Sequence, residues 1–352
     1  MALGFYNKYN LVFLIVGLAA GLILTSQRAV FTRSGLYLAA LLCILLLLPN
    51  ILWQINHQFP VLLHMRVLHQ RQLVHVDRLG FLLDQIKFGL LGFLAIPALW
   101  GLVFYKPFRP YRFVLFTYLT VMILFVISRG KNYYAIGLYP VLFALGAVYL
   151  ERISKGQIIW IFPALGVVNI VAILAIVPFL MPLKSPEQIV ANPGIFEKVG
   201  MLRWEDGKNH DLPQDFADML GWREMAAKAA QAFEMIPEAE QQQTLVFCDN
   251  YGQTGAVNHY NRGRMPEAHS FTADYIFWLP KLDTIRNIVF VGELPDKEVV
   301  DMFEEYRWIG KVENTFAREH GTNIYLLLGG SDAVTRFFYQ EAEERKKNWD
   351  IF

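Results

Sequence analysis

Long apolar stretches decide what this chain can become. They run near 11–24, 35–53, 86–105, 113–128, 133–150 and 157–180. Most are about 16 to 24 residues long, the length that carries an α-helix across a hydrocarbon layer roughly 30 Å thick. From 181 to 352 the pattern is that of an ordinary water-soluble domain. The expectation is therefore a membrane α-helical region over 1–180, with about six transmembrane helices, followed by a small soluble α/β domain over 181–352.

Composition agrees. Hydrophobic residues make up 55% of the 352 and charged residues 18%, against about 25% charged in soluble proteins. A net charge of +1 supplies no electrostatic basis for a nucleic-acid partner. Cys43 lies in an apolar run and Cys248 in an expected strand, so neither a disulfide framework nor metal-type cysteine spacing is read here. The stretch from Met1 to Asn10 carries Lys8 but no cleavage-site pattern, so the first run reads as a retained helix.

Loop charge sets an orientation. Arg28 and Arg33, then Lys106, Arg109 and Arg112, then Arg152 and Lys155 occupy short loops on one side. The more densely basic loops belong in the cytoplasm. The 54–85 loop, the turn at 129–132 and the soluble domain then face the opposite side. Both termini lie there too, which leads to the expectation that further spans precede Met1.

Unusual residues gather on that outer side. Pro49 is expected to end or kink the second span. Residues 59–74 can form an amphipathic helix on the bilayer surface, with Val61, Leu62, Met65 and Leu68 toward lipid. His64, Arg66 and Asp84 are candidates for an outer-loop site that handles an anionic lipid. The alternative is a solvated loop whose basic residues touch headgroups. His64, His69 and His75 lack a regular one-face spacing, so no metal site is read from them. Arg129, Lys131, Tyr133 and Tyr134 form a second cluster at a membrane boundary. It is either an interfacial anchor or a clamp for the phosphate of a lipid-linked substrate.

The soluble domain reads as a helix over 215–236, strands over 244–248 and 287–291, a helix over 295–306, a strand pair over 308–316 and 322–328, and a helix over 333–347. Asn250, Tyr251 and Gly252 follow the first strand. Glycine there permits close backbone approach to a ligand, and a structural turn explains it equally.

Several segments, in order, resemble the C-terminal portion of bacterial membrane glycosyltransferases of family 39, the relatives of protein O-mannosyltransferases and of the lipid A aminoarabinose transferase. They are Lys8-Tyr9-Asn10, Leu48-Pro49-Asn50-Ile51-Leu52-Trp53-Gln54 with Phe59-Pro60, Asp84-Gln85, Lys131-Asn132-Tyr133-Tyr134, Tyr139-Pro140 and Glu151. In the soluble part they are the segment from Ala217 to Glu224, the segment from Asn250 to Ala256, and Ser270 through Tyr275 to Trp278. The resemblance implies a GT-C-type fold in the bacterial inner membrane. It implies transfer of a sugar from a polyprenyl-phosphate donor to a lipid, glycan or protein acceptor on the extracytoplasmic face. Arg129, Lys131, Tyr133 and Tyr134 would then meet the donor-lipid phosphate.

The family's catalytic Asp or Glu belongs to the first outer loop, and no matching residue is found. Asp77 and Asp84 do not occupy that position. The catalytic residue is thus unknown, and the chain is expected to be N-terminally truncated and inactive alone. No cofactor is implied for it, although a divalent metal in the full-length enzyme stays open. The alternative is a non-catalytic lipid-binding or scaffolding membrane protein. A transporter is disfavoured by the scarcity of polar residues at mid-span.

Overall fold

The computed structural model describes residues 1–71, 73–92, 94–154 and 160–348. They fall into two compact units, Met1–Met181 and Pro182–Phe352.

The first unit is helical: α1 (Ala2–Asn7), α2 (Leu11–Ile23), α3 (Ser34–Asn56), α4 (Pro60–Arg71), α5 (Arg78–Gly92), α6 (Ala95–Phe104), α7 (Arg112–Ser128), α8 (Tyr139–Ser154) and α9 (Ile161–Leu180). Among the described residues, three segments are long and apolar enough to cross a membrane: Ser34–Asn56, Lys106–Ser128 and Asn132–Ser154. The last two enter α7 and α8 through a 3-10 turn. A fourth arises if α2 and the turn Ser26–Thr32, bent by 108°, count as one span. Along α3, Leu38, Leu41, Leu42, Leu45 and Leu52 are all exposed, an apolar face suited to hydrocarbon rather than water.

Fewer single long helices form than the six apolar runs suggest, for local reasons. In the first run, Thr25 Oγ1 donates back to Gly21 O at 2.9 Å and accepts from Gln27 N at 3.4 Å. That side chain stops α2 after 13 residues, about 20 Å at 1.5 Å per residue. The third run divides into α5, ending at Gly92, and a ten-residue α6. In the last run, α9 is one helix of 20 residues from Ile161 to Leu180, and residues 157–159 lie outside the described ones. Conversely, Pro49 does not end α3, which continues to Asn56. Proline deprives the Leu45 carbonyl of its helical donor. The adjoining Leu46 carbonyl accepts from Tyr6 Oη at 2.7 Å, which ties α1 to this weakened turn.

Glycine sets two helix contacts. A Cβ on Gly17 would lie 2.5 Å from Val121 Cγ2, and one on Gly21 would lie 2.3 Å from Phe113 O. Small residues spaced by four let helix backbones approach closely in membranes, and α2 packs on α7 this way. Around these contacts Phe81, Val121, Met122, Phe125 and Ala135 form one buried cluster, and Ala98, Leu102, Phe108, Tyr139 and Leu142 another. The expected surface helix over 59–74 corresponds to α4.

The second unit holds α10 (Pro186–Ala191), α11 (Gly194–Lys198), α12 (Gln214–Ala217), α13 (Trp222–Glu234), β1 (Thr244–Cys248), α14 (Tyr251–Tyr260), β2 (Ala268–His269), β3 (Asn287–Gly292), α15 (Lys297–Val300), β4 (Glu305–Lys311), β5 (Asn323–Leu328) and α16 (Asp332–Asn348). Its sheet runs β2-β1-β3-β5-β4. β1 is parallel to β2 and β3, whereas β5 is antiparallel to β3 and β4. Strand alternation sends Val246, Val289 and Leu326 to one face, with Met225 and Phe233 of α13 and Val257 of α14. Leu245, Ile288 and Leu327 go to the other, with Val334 and Phe338 of α16. Both faces are therefore buried.

Two expected helices differ. The one over 215–236 is interrupted at Gly221, whose φ of +84° is a left-handed conformation that ends one helix and permits the next to start. The one over 295–306 shrinks to α15, because β4 begins at Glu305 opposite Leu328. Pairing with β5 outweighs the local helical pattern, and it also moves the strand read at 308–316 to 305–311. The two-residue β2 was not expected.

Candidate functional site

The 3-10 turn Asn132–Leu138 is the hub of a polar cluster in the first unit. Asn132 Nδ2 donates to Asp84 Oδ2 at 2.9 Å, and the Asn132 carbonyl accepts from Gln85 Nε2 at 2.9 Å. The Tyr139 hydroxyl lies 2.9 Å from Gln85 O and 3.1 Å from Gln85 Oε1. Gln85 is buried, so its amide would be costly to leave unpaired, and both of its ends are engaged.

Aromatic and cationic groups adjoin this network. The Tyr133 and Tyr134 rings meet edge to face at 4.9 Å. Lys8 Nζ stands 4.6 Å from the Tyr134 ring centre and 5.6 Å from that of Tyr133, within cation–π reach. Lys131 precedes the turn with extended backbone. Arg129 caps α7 in a left-handed conformation, φ +54°. Its Nη1 donates to the Val74 carbonyl, and Arg78 Nε donates to Val126 O at 3.2 Å. One guanidinium donor of Arg129 thus fastens the 73–78 segment to the end of α7. A cation at a helix C-terminus is also favoured by the helix dipole.

A second network joins the N-terminal segment to α3. Tyr9 Oη donates to Asn50 Oδ1 at 2.9 Å and accepts from Gln54 Nε2 at 3.0 Å. Gln54, itself buried, accepts from Val61 N at 3.5 Å. Lys8 and Tyr9 are adjacent, so the two networks meet at the start of the chain.

Of the proposed outer-loop residues, Asp84 joins the Asn132 cluster. His64 and Arg66 stay exposed on α4, and among the described residues Arg66 makes no hydrogen bond or ion pair. The side chain of His75 lies outside the described ones. No group of three or more His, Cys, Asp or Glu converges on a metal-sized centre among the described residues. Lys8, Gln85, Asn132 and Tyr139 were not singled out as site residues. Their signal was their presence in the quoted segments.

In the second unit, Asn250 is a helix cap. Its Oδ1 accepts from Gly252 N at 2.9 Å and Gln253 N at 3.0 Å, and Gln253 Oε1 accepts from Asn250 N at 3.4 Å. This reciprocal box satisfies the first amides of α14. Tyr251 is exposed beside it. A Cβ at Gly252 would meet Asn250 Oδ1 at 3.1 Å, so glycine there makes room for the cap. The Ala217–Glu224 segment has a structural task as well. Glu224 pairs with Lys228 at 2.7 Å and accepts from Glu313 N at 3.0 Å and Asn314 N at 3.4 Å. Burial opposes its ionisation, but the Lys228 and backbone hydrogen bonds outweigh it and hold the carboxyl below its ordinary range.

Comparison with family models, with curated proteins and with solved structures finds no match to this chain.

Proposed function

We propose that the first unit is the donor-lipid end of a membrane glycosyltransferase that uses a polyprenyl-phosphate-linked sugar. One observation carries this reading. Segments of the first unit that carry the family resemblance meet in space: Lys8 with Tyr134, Asp84 with Asn132, and Gln85 with Tyr139.

In this reading the cluster sits at the outer boundary of a bacterial inner membrane. Here α9, and α5 continued by α6, join the long apolar segments in a multi-pass arrangement of about six crossings, and the second unit is extracytoplasmic. Lys131, with Arg129 and Lys8 in support, neutralises the lipid phosphate as the sugar–phosphate bond breaks. Tyr133 and Tyr134 donate hydroxyls or pack on the isoprenoid. A carboxylate base would take the proton of the acceptor hydroxyl. The acceptor is a lipid, glycan or protein. A second reading, lipid binding without transfer, is favoured by the engagement of Asp84 with Asn132, which uses an oxygen that a base would need.

Titration of polyprenyl phosphate into the protein and its Lys131→Gln variant tests the assignment. Loss of the contact is expected to weaken affinity about tenfold or more, equivalent to roughly 1.4 kcal/mol. Unchanged affinity in a folded variant would leave interfacial anchoring as the role of Lys131.

A further inference from the structure

The second unit carries a cavity of about 350 Å³ along the sheet face that α16 covers, from Leu245 and Ile288 early in β1 and β3 to Asp249 at the carboxyl end. After β1 the chain turns into α14, whose Val257 packs on one face of the sheet. After β3 it turns toward α15, whose Val299 packs on the other. Such a divergence between adjacent parallel strands opens a crevice where ligands of α/β proteins bind.

The walls are aromatic, with Phe247, Phe271, Phe290, Phe337 and Phe338. Ring centres are 4.6 Å apart for Phe247 and Phe271 and 5.1 Å for Phe271 and Phe338. Polar groups collect at the carboxyl end. Asp249 follows β1, Thr272 follows β2, Asp296 precedes α15, and Glu341 and Arg345 lie late on α16. Arg345 Nε donates to Glu341 at 2.6 Å, and its guanidinium lies 5.3 Å from the Phe271 ring centre. That pair balances itself, so Asp249 and Asp296 give the lining its excess negative charge.

Asp249 is held in place by a glycine. Gly292 has φ +147°, and a Cβ there would lie 1.9 Å from Asp249 Oδ2. The same oxygen accepts from Glu293 N at 2.7 Å. Oδ1 has no hydrogen-bond partner among the described residues.

We propose that this cavity binds a small organic cation, with an aromatic or branched-alkyl body among the phenyl rings and an ammonium on Asp249. Aromatic faces attract cations, and the exposed Asp249 carboxylate stands at the edge of the cavity as their counter-charge. An anion of the same shape meets the wrong sign of charge. Burial pushes the Asp249 carboxyl above the ordinary aspartate range. The Glu293 amide opposes that rise, and the charges of Glu293 and Glu319 add to it. The remaining charged groups in the lining are Asp296, Glu341 and Arg345. A bound ammonium favours ionised Asp249, so binding releases a proton and tightens as pH rises through that group's titration.

This assignment is independent of the lipid-phosphate reading. Its test is calorimetric titration of 2-phenylethylammonium into the full chain in nanodiscs. 3-Phenylpropanol and 3-phenylpropionate serve as neutral and anionic counterparts. Val299→Trp fills the cavity, and in the same nanodiscs it supplies the background from partition into lipid. The ammonium is expected to bind at least about tenfold more tightly than either counterpart, and more tightly near pH 8 than near pH 4, where a carboxyl raised above about 3.9 is largely protonated. Asp249→Asn keeps an acceptor for Glu293 N; it should weaken binding about tenfold or more and remove the pH dependence. Heats indistinguishable from those of Val299→Trp, tighter binding of 3-phenylpropionate, or unchanged affinity in Asp249→Asn would each overturn the proposal.

Discussion

Asn132 gives its side-chain amide to Asp84 Oδ2 at 2.9 Å across 48 residues of sequence. The same residue offers its carbonyl to Gln85 and its Oδ1 to Tyr133 N at 2.8 Å. Asn132 therefore fixes the turn that presents Lys131, Tyr133 and Tyr134. Asn132→Ala removes the hydrogen bond it gives Asp84 and frees the turn. We expect a loss of about 1.5 to 3 kcal/mol, the range for hydrogen bonds to charged groups, together with weaker binding of polyprenyl phosphate. Thermal unfolding in detergent and the lipid titration read the two effects separately. A normal melting profile would assign Asn132 a smaller structural share.

Helix α2 is held against α7 by the absence of side chains at Gly17 and Gly21. A methyl at Gly21 would press on the Phe113 carbonyl and on Thr117 Oγ1, 2.3 and 2.5 Å away. Backbone cannot yield as a flexible side chain does. Gly21→Ala should destabilise the first unit by about 1 to 3 kcal/mol, the usual cost of overpacking. Gly35→Ala is the control, because nothing lies within 4 Å of a Cβ there. Equal melting temperatures for the two variants would contradict the packing assigned to α2 and α7.

Asn250 offers a sharper choice between structure and ligand binding. As the cap of α14 it should cost about 0.5 to 2 kcal/mol on replacement by alanine, and Asn250→Ser should recover most of that. Hydrogen exchange at Gly252 and Gln253 reports the cap directly. Recovery of protection in Asn250→Ser is the expected result. Rescue absent from both protection and stability would return Asn250 to the list of ligand-binding candidates.

The sequence made some of this legible and hid the rest. The apolar runs are visible because lipid demands long uninterrupted hydrophobicity. Where a run stops being one helix depends on Thr25 turning its hydroxyl on the backbone, a choice between two local states that apolar content does not reveal. Strands β1 and β3 are readable because burial on both faces makes Thr244–Cys248 and Asn287–Gly292 continuous apolar runs. β4 is less readable, since Tyr306 and Trp308 are exposed on an edge and only its partner β5 dictates the conformation. Lys131, Tyr133 and Tyr134 are neighbours in sequence, whereas the approach of Lys8 and Gln85 is tertiary. The cap was readable in principle, as Asn250 followed three residues later by Gln253. Asp249 carried no pattern at all: its environment comes from phenylalanines on four separate segments.

Asp249 also makes a pH prediction. Its carboxyl is raised in the folded protein, chiefly by burial, so the folded state holds this proton more tightly than the unfolded chain does. The contribution is fully present below the unfolded value, near 3.9, and is lost as pH rises through the higher folded value. Asp249→Asn removes that slope and keeps the Glu293 amide satisfied. Protection of the β1 amides should therefore fall less with rising pH above about 4 in the variant than in the parent. Glu224 has the opposite sign and is common to both proteins, so the difference isolates Asp249. Parallel profiles would mean that Asp249 does not titrate upward on folding.

Orientation can be tested without any ligand. The proposed orientation, read from loop charge, has the segment before α3 in the cytoplasm and the second unit outside. Ser34 and Lys184 are exposed and would mark the two sides. The parent for labelling is Cys43→Ser. Cys248 can stay, because it is buried in β1 and burial pushes its thiol well above the ordinary range, which leaves little reactive thiolate. An impermeant maleimide applied to intact cells should modify Lys184→Cys and spare Ser34→Cys until the cells are opened. The reverse pattern would invert the topology and put the Arg129–Tyr134 cluster on the cytoplasmic face. A lipid-linked donor would then have to be used on the side where it is made, and the extracytoplasmic transfer proposed above would fail with it.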